Sequence, residues 1–398
     1  MAKRKMGKAA DKARADRRRK RQFRAQLIGF AKDIMVAMLI VVIVMASLYA
    51  YSGGIWPPMV VVESESMMHG TDSHVGTIDT GDLTLVKKIG SRSDIVTYVE
   101  GRPSYNVAYE EAGVAAKAET FKGAHAGFSN YGDYGDVIIY EKNGRTDETP
   151  VIHRAMVWFE PNTTPACVAK LPMGYVGGGD FPDIKNANHP HGLKCIVTLT
   201  IQKVGYKKDQ LIIHSNRIVS NANAVEGKPF AGFLTHGDHN GAGNGTFYCD
   251  QESLGDLHGM QLAPIKVNWV VGKAVGELPW FGALKLVASK TTTTDQIPPS
   301  SWKGLITTIV LIIVIPFIID IVVAQYQKRK PKKDKKKGDE KEDDQEEEEE
   351  ECGEEKEPAA DKDDEETIKG VNPDDDYGDE FKDMATSKPE KTQKKNRR

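Results

Sequence analysis

Two apolar runs bracket this chain and constrain it more than any other feature. Residues 34–50 are almost purely apolar, and 27–30 lengthen that run beyond Lys32 and Asp33; residues 305–324 form the second. A helix crossing a bilayer needs about 20 residues at about 1.5 Å each, so both runs suffice with their flanking charges snorkelling. Membrane helices are expected over 27–52 and 304–325. A cleaved secretory signal fits the first run poorly. The basic stretch before it is too long, and the run exceeds a signal's apolar core of about 7–15 residues. An uncleaved anchor is expected, with Trp56 and the following Pro57-Pro58 at the outer interface, where Trp is enriched. In the second run Pro316 would kink the helix. Asp320 is costly in a bilayer but lies near the end, before Lys328-Arg329-Lys330, where it can snorkel out.

The formal net charge of −3 over 398 residues hides a strong segregation. Residues 1–24 carry twelve Lys and Arg against two Asp, while 339–390 is dominated by Glu and Asp. Basic flanks beside a span mark its cytoplasmic side, so 1–26 is read as a solvated cytoplasmic arm and not as a nucleic-acid site. Basic residues before the first span and after the second put both termini in the cytoplasm and 53–303 outside it. The segment 326–398 turns from basic to acidic and cannot bury enough apolar area to offset its ordering entropy; a disordered cytoplasmic tail is expected. Its charge suits either solvation alone or a basic partner.

Only the middle of the chain can bury a core. Short Val-, Ile- and Leu-rich runs at 83–86, 137–140, 196–201, 211–214 and 267–275, bounded by Gly, Asn, Asp and Pro, indicate strands. One Ala- and Glu-rich stretch, 108–122, is expected as a helix. Cys167, Cys195 and Cys249 allow one disulfide with a thiol left over, or three free thiols, and Cys352 falls in the acidic tail. Sequons stand at Asn162 and Asn244.

Several short motifs recur in a telling order. Val62-Glu63-Ser64-Glu65-Ser66-Met67-Met68-His69-Gly70 follows the first span. Thr80-Gly81-Asp82-Leu83, Gly135-Asp136-Val137-Ile138-Ile139-Tyr140 and Pro150-Val151-Ile152-His153-Arg154 come next. Leu234-Thr235-His236-Gly237-Asp238-His239-Asn240 is followed by Asp250, and Val271-Gly272-Lys273-Ala274 leads towards the second span. This set resembles the type I signal peptidases, membrane-bound serine peptidases, in the archaeal and endoplasmic-reticulum branch where a His partners the serine. The resemblance covers motif blocks between about residues 60 and 287, interrupted near 91–131 and 156–232 by insertions longer than ordinary connections. It implies a mainly β, signal-peptidase-like catalytic body outside the cytoplasm, anchored in the cell membrane by two helices, with disordered charged tails. The insertions are expected as a small cap beside that body.

The chemistry of the residues is consistent with that implication. A serine hydroxyl is inert without an adjacent base. Ser66 is the expected nucleophile and His153 the general base, a side chain whose ordinary pKa suits proton transfer near neutrality. A carboxylate that fixes the His tautomer completes such a site; Asp250 and Asp238 are both candidates, with Asp250 preferred and Asp238 expected to position its loop. The gap between them is stretched relative to the family. Ser64 is carried over as a lining residue of the oxyanion hole. His69 stands where the family has Pro, so that loop loses a fixed φ.

The implied substrates are preproteins whose signal peptides end in small residues, presented by the bilayer and the export machinery, with no cofactor. Val60, Val62, Ile138 and Tyr140 are expected to line the substrate groove, an extended peptide adding to a sheet edge. Two other readings are open: a non-catalytic β domain that binds secreted peptides or a partner subunit, and a metal-dependent hydrolase using the histidine pairs. The last lacks a His-Glu-x-x-His signature.

Overall fold

The computed structural model of the protein describes residues 2–241, 245–289 and 297–329. Of the disordered tail expected over 326–398, residues 326–329 continue the last helix and the rest lies outside these residues, as do Cys352 and Asn244 of the second sequon. α1 (Ala2–Tyr51) is one helix of 50 residues. Its second half, Leu27–Tyr51, is long and apolar enough to cross a membrane, as is Pro299–Tyr326. The basic arm expected over 1–26 forms the first half of this helix. Ala, Lys, Arg, Met and Gln are strong helix formers, and between Gly7 and Gly29 the chain has no Gly or Pro to break the run.

β1 (Met59–Val61) pairs antiparallel with β2 (Leu83–Lys87), Val61 facing Leu83. A single helical turn, α2 (Tyr98–Gly101), leads to the hairpin of β3 (Tyr105–Glu111) and β4 (Lys117–Phe121). This hairpin overturns the helix expected over 108–122. Tyr105, Val107 and Tyr109 are buried while Asn106 and Glu110 are exposed, the two-residue period of a strand. Gly113, at φ 75°, supplies the turn. A small hairpin, β5 (Ser129–Asn130) and β6 (Asp133–Tyr134), precedes β7 (Val137–Tyr140), whose four side chains are all buried.

β8 (Val151–Asn162) joins two halves of the body. Its first four residues pair with β7, its middle, from Arg154 to Phe159, pairs with β12 (Gly232–His236), and its last three pair with β9 (Gly178–Phe181). Between β8 and β9 lies α3 (Pro165–Val168). β10 (Leu193–Val204), β11 (Asp209–His214) and α4 (Ser215–Glu226) come next. β13 (Thr246–Tyr248), α5 (Asp250–Ser253), β14 (Val270–Leu278), α6 (Gly282–Ser289) and α7 (Pro299–Arg329) complete the described chain. The sheet runs β1-β2-β14-β7-β8-β9-β10-β11-β13, with β12 on β8 and β3-β4 on β10. Its pairings are antiparallel except β11 with β13.

The expected strands at 83–86, 137–140, 196–201 and 211–214 fall inside β2, β7, β10 and β11; that at 267–275 begins with a 3-10 turn over Val267–Trp269. The insertions do not form a separate cap. They supply β3, β4, β9, β10 and β11, which extend the same sheet because β8 continues past the end of β7 and offers β9 a partner. Their own core gathers Tyr105, Phe121, Phe159, Phe181, Leu199 and Leu211. α4 buries Ile218, Val219 and Ala222 and stops at Gly227, whose amide donates to the Asn223 carbonyl at φ 72°. Cys167 and Cys195 form a disulfide that ties α3 to β10, and Cys249 is a free buried thiol.

Candidate active site

Ser66 sits in the turn that follows β1. Val62 donates its amide to the Asp82 carbonyl (3.0 Å) and accepts from the Gly81 amide (3.0 Å), so the start of the loop is gripped by the Gly81-Asp82 turn. The Met68 amide closes the loop on the Glu65 carbonyl (3.0 Å), and buried Met67 and Met68 pin its far side. Ser66 is left half-buried at the mouth of a cleft of about 380 Å³. Val61, Ser64, Pro150, Ile152 and His153 line the same cleft.

His153 is the third residue of β8, opposite Ile138 of β7. Its Nδ1 donates to Asp250 Oδ2 at 2.6 Å. That oxygen also accepts from the Thr235 hydroxyl (2.7 Å) and the Tyr140 hydroxyl (3.1 Å). Burial alone would push the Asp250 carboxyl up, but His153, then His236 and the Thr235 hydroxyl, hold it below the ordinary value. An ionised acceptor on Nδ1 fixes the tautomer with the Nε2 lone pair free. Among the described residues Nε2 has no hydrogen-bond partner. Ser66 Oγ bonds Ser64 Oγ (3.1 Å) and not the imidazole, while the Ser66 amide donates to no described group.

Asp238 has a different role. The buried Arg154 guanidinium donates to it through Nε (2.8 Å) and Nη2, and His69 Nε2 adds a third bond at 2.9 Å. Against the upward push of burial, Arg154 holds the Asp238 carboxyl far below the usual range. Arg154 Nη1 also donates to the carbonyls of Asn130 and Gly135 (both 2.9 Å), so this group braces the backbone around the site. Of the two candidate acids, only Asp250 reaches His153. No protein-family model matches this chain, and no curated protein or solved structure matches it either.

Gly237 closes the space between Ser66 and His153. A Cβ there would lie 2.6 Å from the Ser66 carbonyl oxygen and 2.8 Å from His153 Nε2. The His239 amide donates to that same Ser66 carbonyl (2.9 Å).

The expected groove residues are mostly misplaced. Val62, Ile138 and Tyr140 are buried in the core, and Val60 is half-buried against the cluster around Val62 and Val86. Alternation along β1 turns Val61 to the cleft instead, and Tyr140 spends its hydroxyl on Asp250. Thr235 and Tyr140 were not singled out as partners of the acid; the only signal for either is a polar atom on a strand that is otherwise buried. Lys87 Nζ lies over the Tyr51 ring, 5.4 Å from its centroid. The histidine pairs go to separate partners: His189 to Tyr109 and Glu119, His236 to the Asn240 carbonyl, and His69 to Asp238. A second cleft of similar size, bordered by Arg92, Trp158 and Asp183, has its guanidinium paired with the Asp183 carboxylate and brings no nucleophile to a base.

Proposed function

We propose that this chain is a membrane-bound serine endopeptidase of the type I signal-peptidase kind, archaeal and endoplasmic-reticulum branch, which cuts signal peptides from exported preproteins after small residues. The observation that carries the reading is the pair on one cleft: Ser66, and an imidazole whose outer face is free because Asp250 holds its inner nitrogen. Two helices apolar enough to span a bilayer suit a membrane-borne substrate. The basic residues before the first and after the second favour cytoplasmic termini, with the sheet and cleft on the far side of the cell membrane.

The chemistry is an acyl transfer. A side-chain rotation takes Ser66 Oγ from Ser64 to His153 Nε2, which removes the proton as Oγ attacks the scissile carbonyl. Asp250 stabilises the imidazolium without taking its proton. The Ser66 amide and the Ser64 hydroxyl are the donors nearest to hand for the oxyanion. The imidazolium then protonates the departing amine, and water, deprotonated by the same nitrogen, releases the acyl product and restores Ser66.

A peptide-binding module without turnover is the second reading, favoured by one observation: Ser66 Oγ is bonded to Ser64. Cleavage of a signal-bearing preprotein in detergent or lipid, comparing wild type with Ser66→Ala and His153→Ala, separates the two. Product from wild type alone, cut after a small residue, is the expected result. Peptide binding without product from folded wild type supports the module, and product from either variant removes the assignment of its residue.

A further inference from the structure

The turn between β10 and β11 reaches across to the serine loop. Gly205, at φ 67°, brings this turn so close to the Asp238 loop that a Cβ on it would lie 3.1 Å from the Asp238 carbonyl oxygen. The next amide, that of Tyr206, donates to that carbonyl at 3.2 Å. The Tyr206 ring then lies beside two imidazoles. It stacks on His69 with centroids 5.8 Å apart and on His239 at 6.1 Å, the latter pair within 9° of parallel. Both separations fall in the range where aromatic rings attract.

Each imidazole is tied to the serine. His69 is three residues beyond Ser66 in the same loop, and its Nε2 bonds Asp238. His239 Nδ1 donates to the Met68 carbonyl (3.0 Å), while its amide donates to the carbonyl of Ser66 itself. Ring, imidazoles, Asp238 and the serine loop thus form a closed circuit. Tyr206 contributes little to the core, being 44% exposed, and its ring contacts are with these two imidazoles. Ring stacking without burial is a weak way to stabilise a fold and an effective way to fix the distance between two loops.

We propose that Tyr206 is a positioning residue, a wedge that holds the Ser66 loop against the Gly237–Asn240 loop and so sets the place of the nucleophile relative to His153. The inference rests on the peptidase reading above. It makes the β10–β11 turn, which belongs to an insertion, a working part of the site. It also gives His69 a task, as the face on which that wedge bears.

The test uses the full chain in detergent or lipid with a signal-bearing preprotein, measuring kcat, KM and the thermal midpoint for wild type, Tyr206→Phe, Tyr206→Leu and Tyr206→Ala. The ring and not the hydroxyl makes the stack, so Tyr206→Phe should turn over like wild type. Tyr206→Ala should lose about tenfold or more in kcat, given that small misplacements of a reacting group cost rates of this order, with KM and the midpoint little changed. Tyr206→Leu, which keeps apolar bulk but not the stack, should fall with Ala; it decides the matter if the Ala variant does not fold. Undiminished kcat in Ala or Leu, or a Phe variant as impaired as Ala, overturns the wedge while leaving the peptidase reading intact. A silent wild type fails the peptidase reading, and the wedge falls with it.

Discussion

His153 and Arg154 are neighbours on β8, and each takes one of the two aspartates: the imidazole holds Asp250 and the guanidinium holds Asp238. Strand alternation sends consecutive side chains to opposite faces, so the two acids are kept apart by one residue of backbone. The two substitutions should therefore fail differently. Asp250→Asn should fold and lose about 10³–10⁴-fold in kcat, since an amide no longer fixes the tautomer. Asp238→Ala should instead destabilise the fold by about 3–5 kcal/mol, because it strands a buried guanidinium. Thermal melts beside preprotein cleavage check this; similar melts for the two variants would contradict it.

Gly237 leaves no room for a side chain between Ser66 and His153. The added methyl of Gly237→Ala would meet the Ser66 carbonyl, the Asn240 amide and His153 Nε2, all within 2.8 Å. Turnover should drop about 10²-fold or more as the loops move apart. Wild-type kcat in this variant would show that the loops tolerate separation.

Asp82 links the serine loop to the start of α6. Its carboxylate accepts the Asp79 amide (2.9 Å) and the Trp280 amide (2.7 Å). Burial raises its pKa from 3.8 to about 7, more than those two bonds lower it, and the charges of Asp79 and Glu277 add to the rise. The folded state thus binds more protons here than the unfolded chain. The stability this provides is present at acid pH and is lost as pH rises through about 7. The thermal midpoint of wild type should fall across that window, and Asp82→Asn should flatten the slope. An equal slope in both would assign the effect to another group.

The Cys167–Cys195 bridge closes a segment with a sequence separation of 28. By loop entropy its removal should cost about 3–4 kcal/mol. Denaturant unfolding of Cys167→Ser with Cys195→Ser, beside wild type with and without reductant, measures it. The buried Cys249 thiol, pushed far above its ordinary value first by burial, should resist alkylation in the folded protein.

Much of the fold was legible where one signal dominated. Length and apolarity located both long helices, and β7 could be read from four consecutive β-prone residues. The 108–122 stretch misled because Ala and Glu favour a helix locally, whereas the alternation of Tyr105, Val107 and Tyr109 begins just before it and won through packing. α4 went unread because its Ser and Asn are poor helix formers; the signal present was the stripe of Ile218, Val219 and Ala222 ending at Gly227. Within the site, Ser66, His153 and both aspartates were visible as motif residues. The choice of Asp250 over Asp238 as the partner of His153 could only be leaned towards, because it depends on which face of β8 each side chain leaves. The groove residues failed for the same reason: Val61 and Val62 differ only in direction. Tyr206 could not be found from sequence at all, since nothing local announces which loop a turn will touch.

The length of β8 has one more consequence. Near its start His153 is registered against Ile138, and near its end Glu160 is registered against Asp180. The six residues between those anchors work as a ruler read from both ends. Adding or removing one residue between them would turn every side chain on one side of the change to the wrong face of the sheet, so the inserted strands and the imidazole cannot both keep their partners. The added half of the protein is therefore not a detachable ornament: any lineage or designer that changes its attachment must do so in steps of two residues, or lose the pairing of His153 with Asp250.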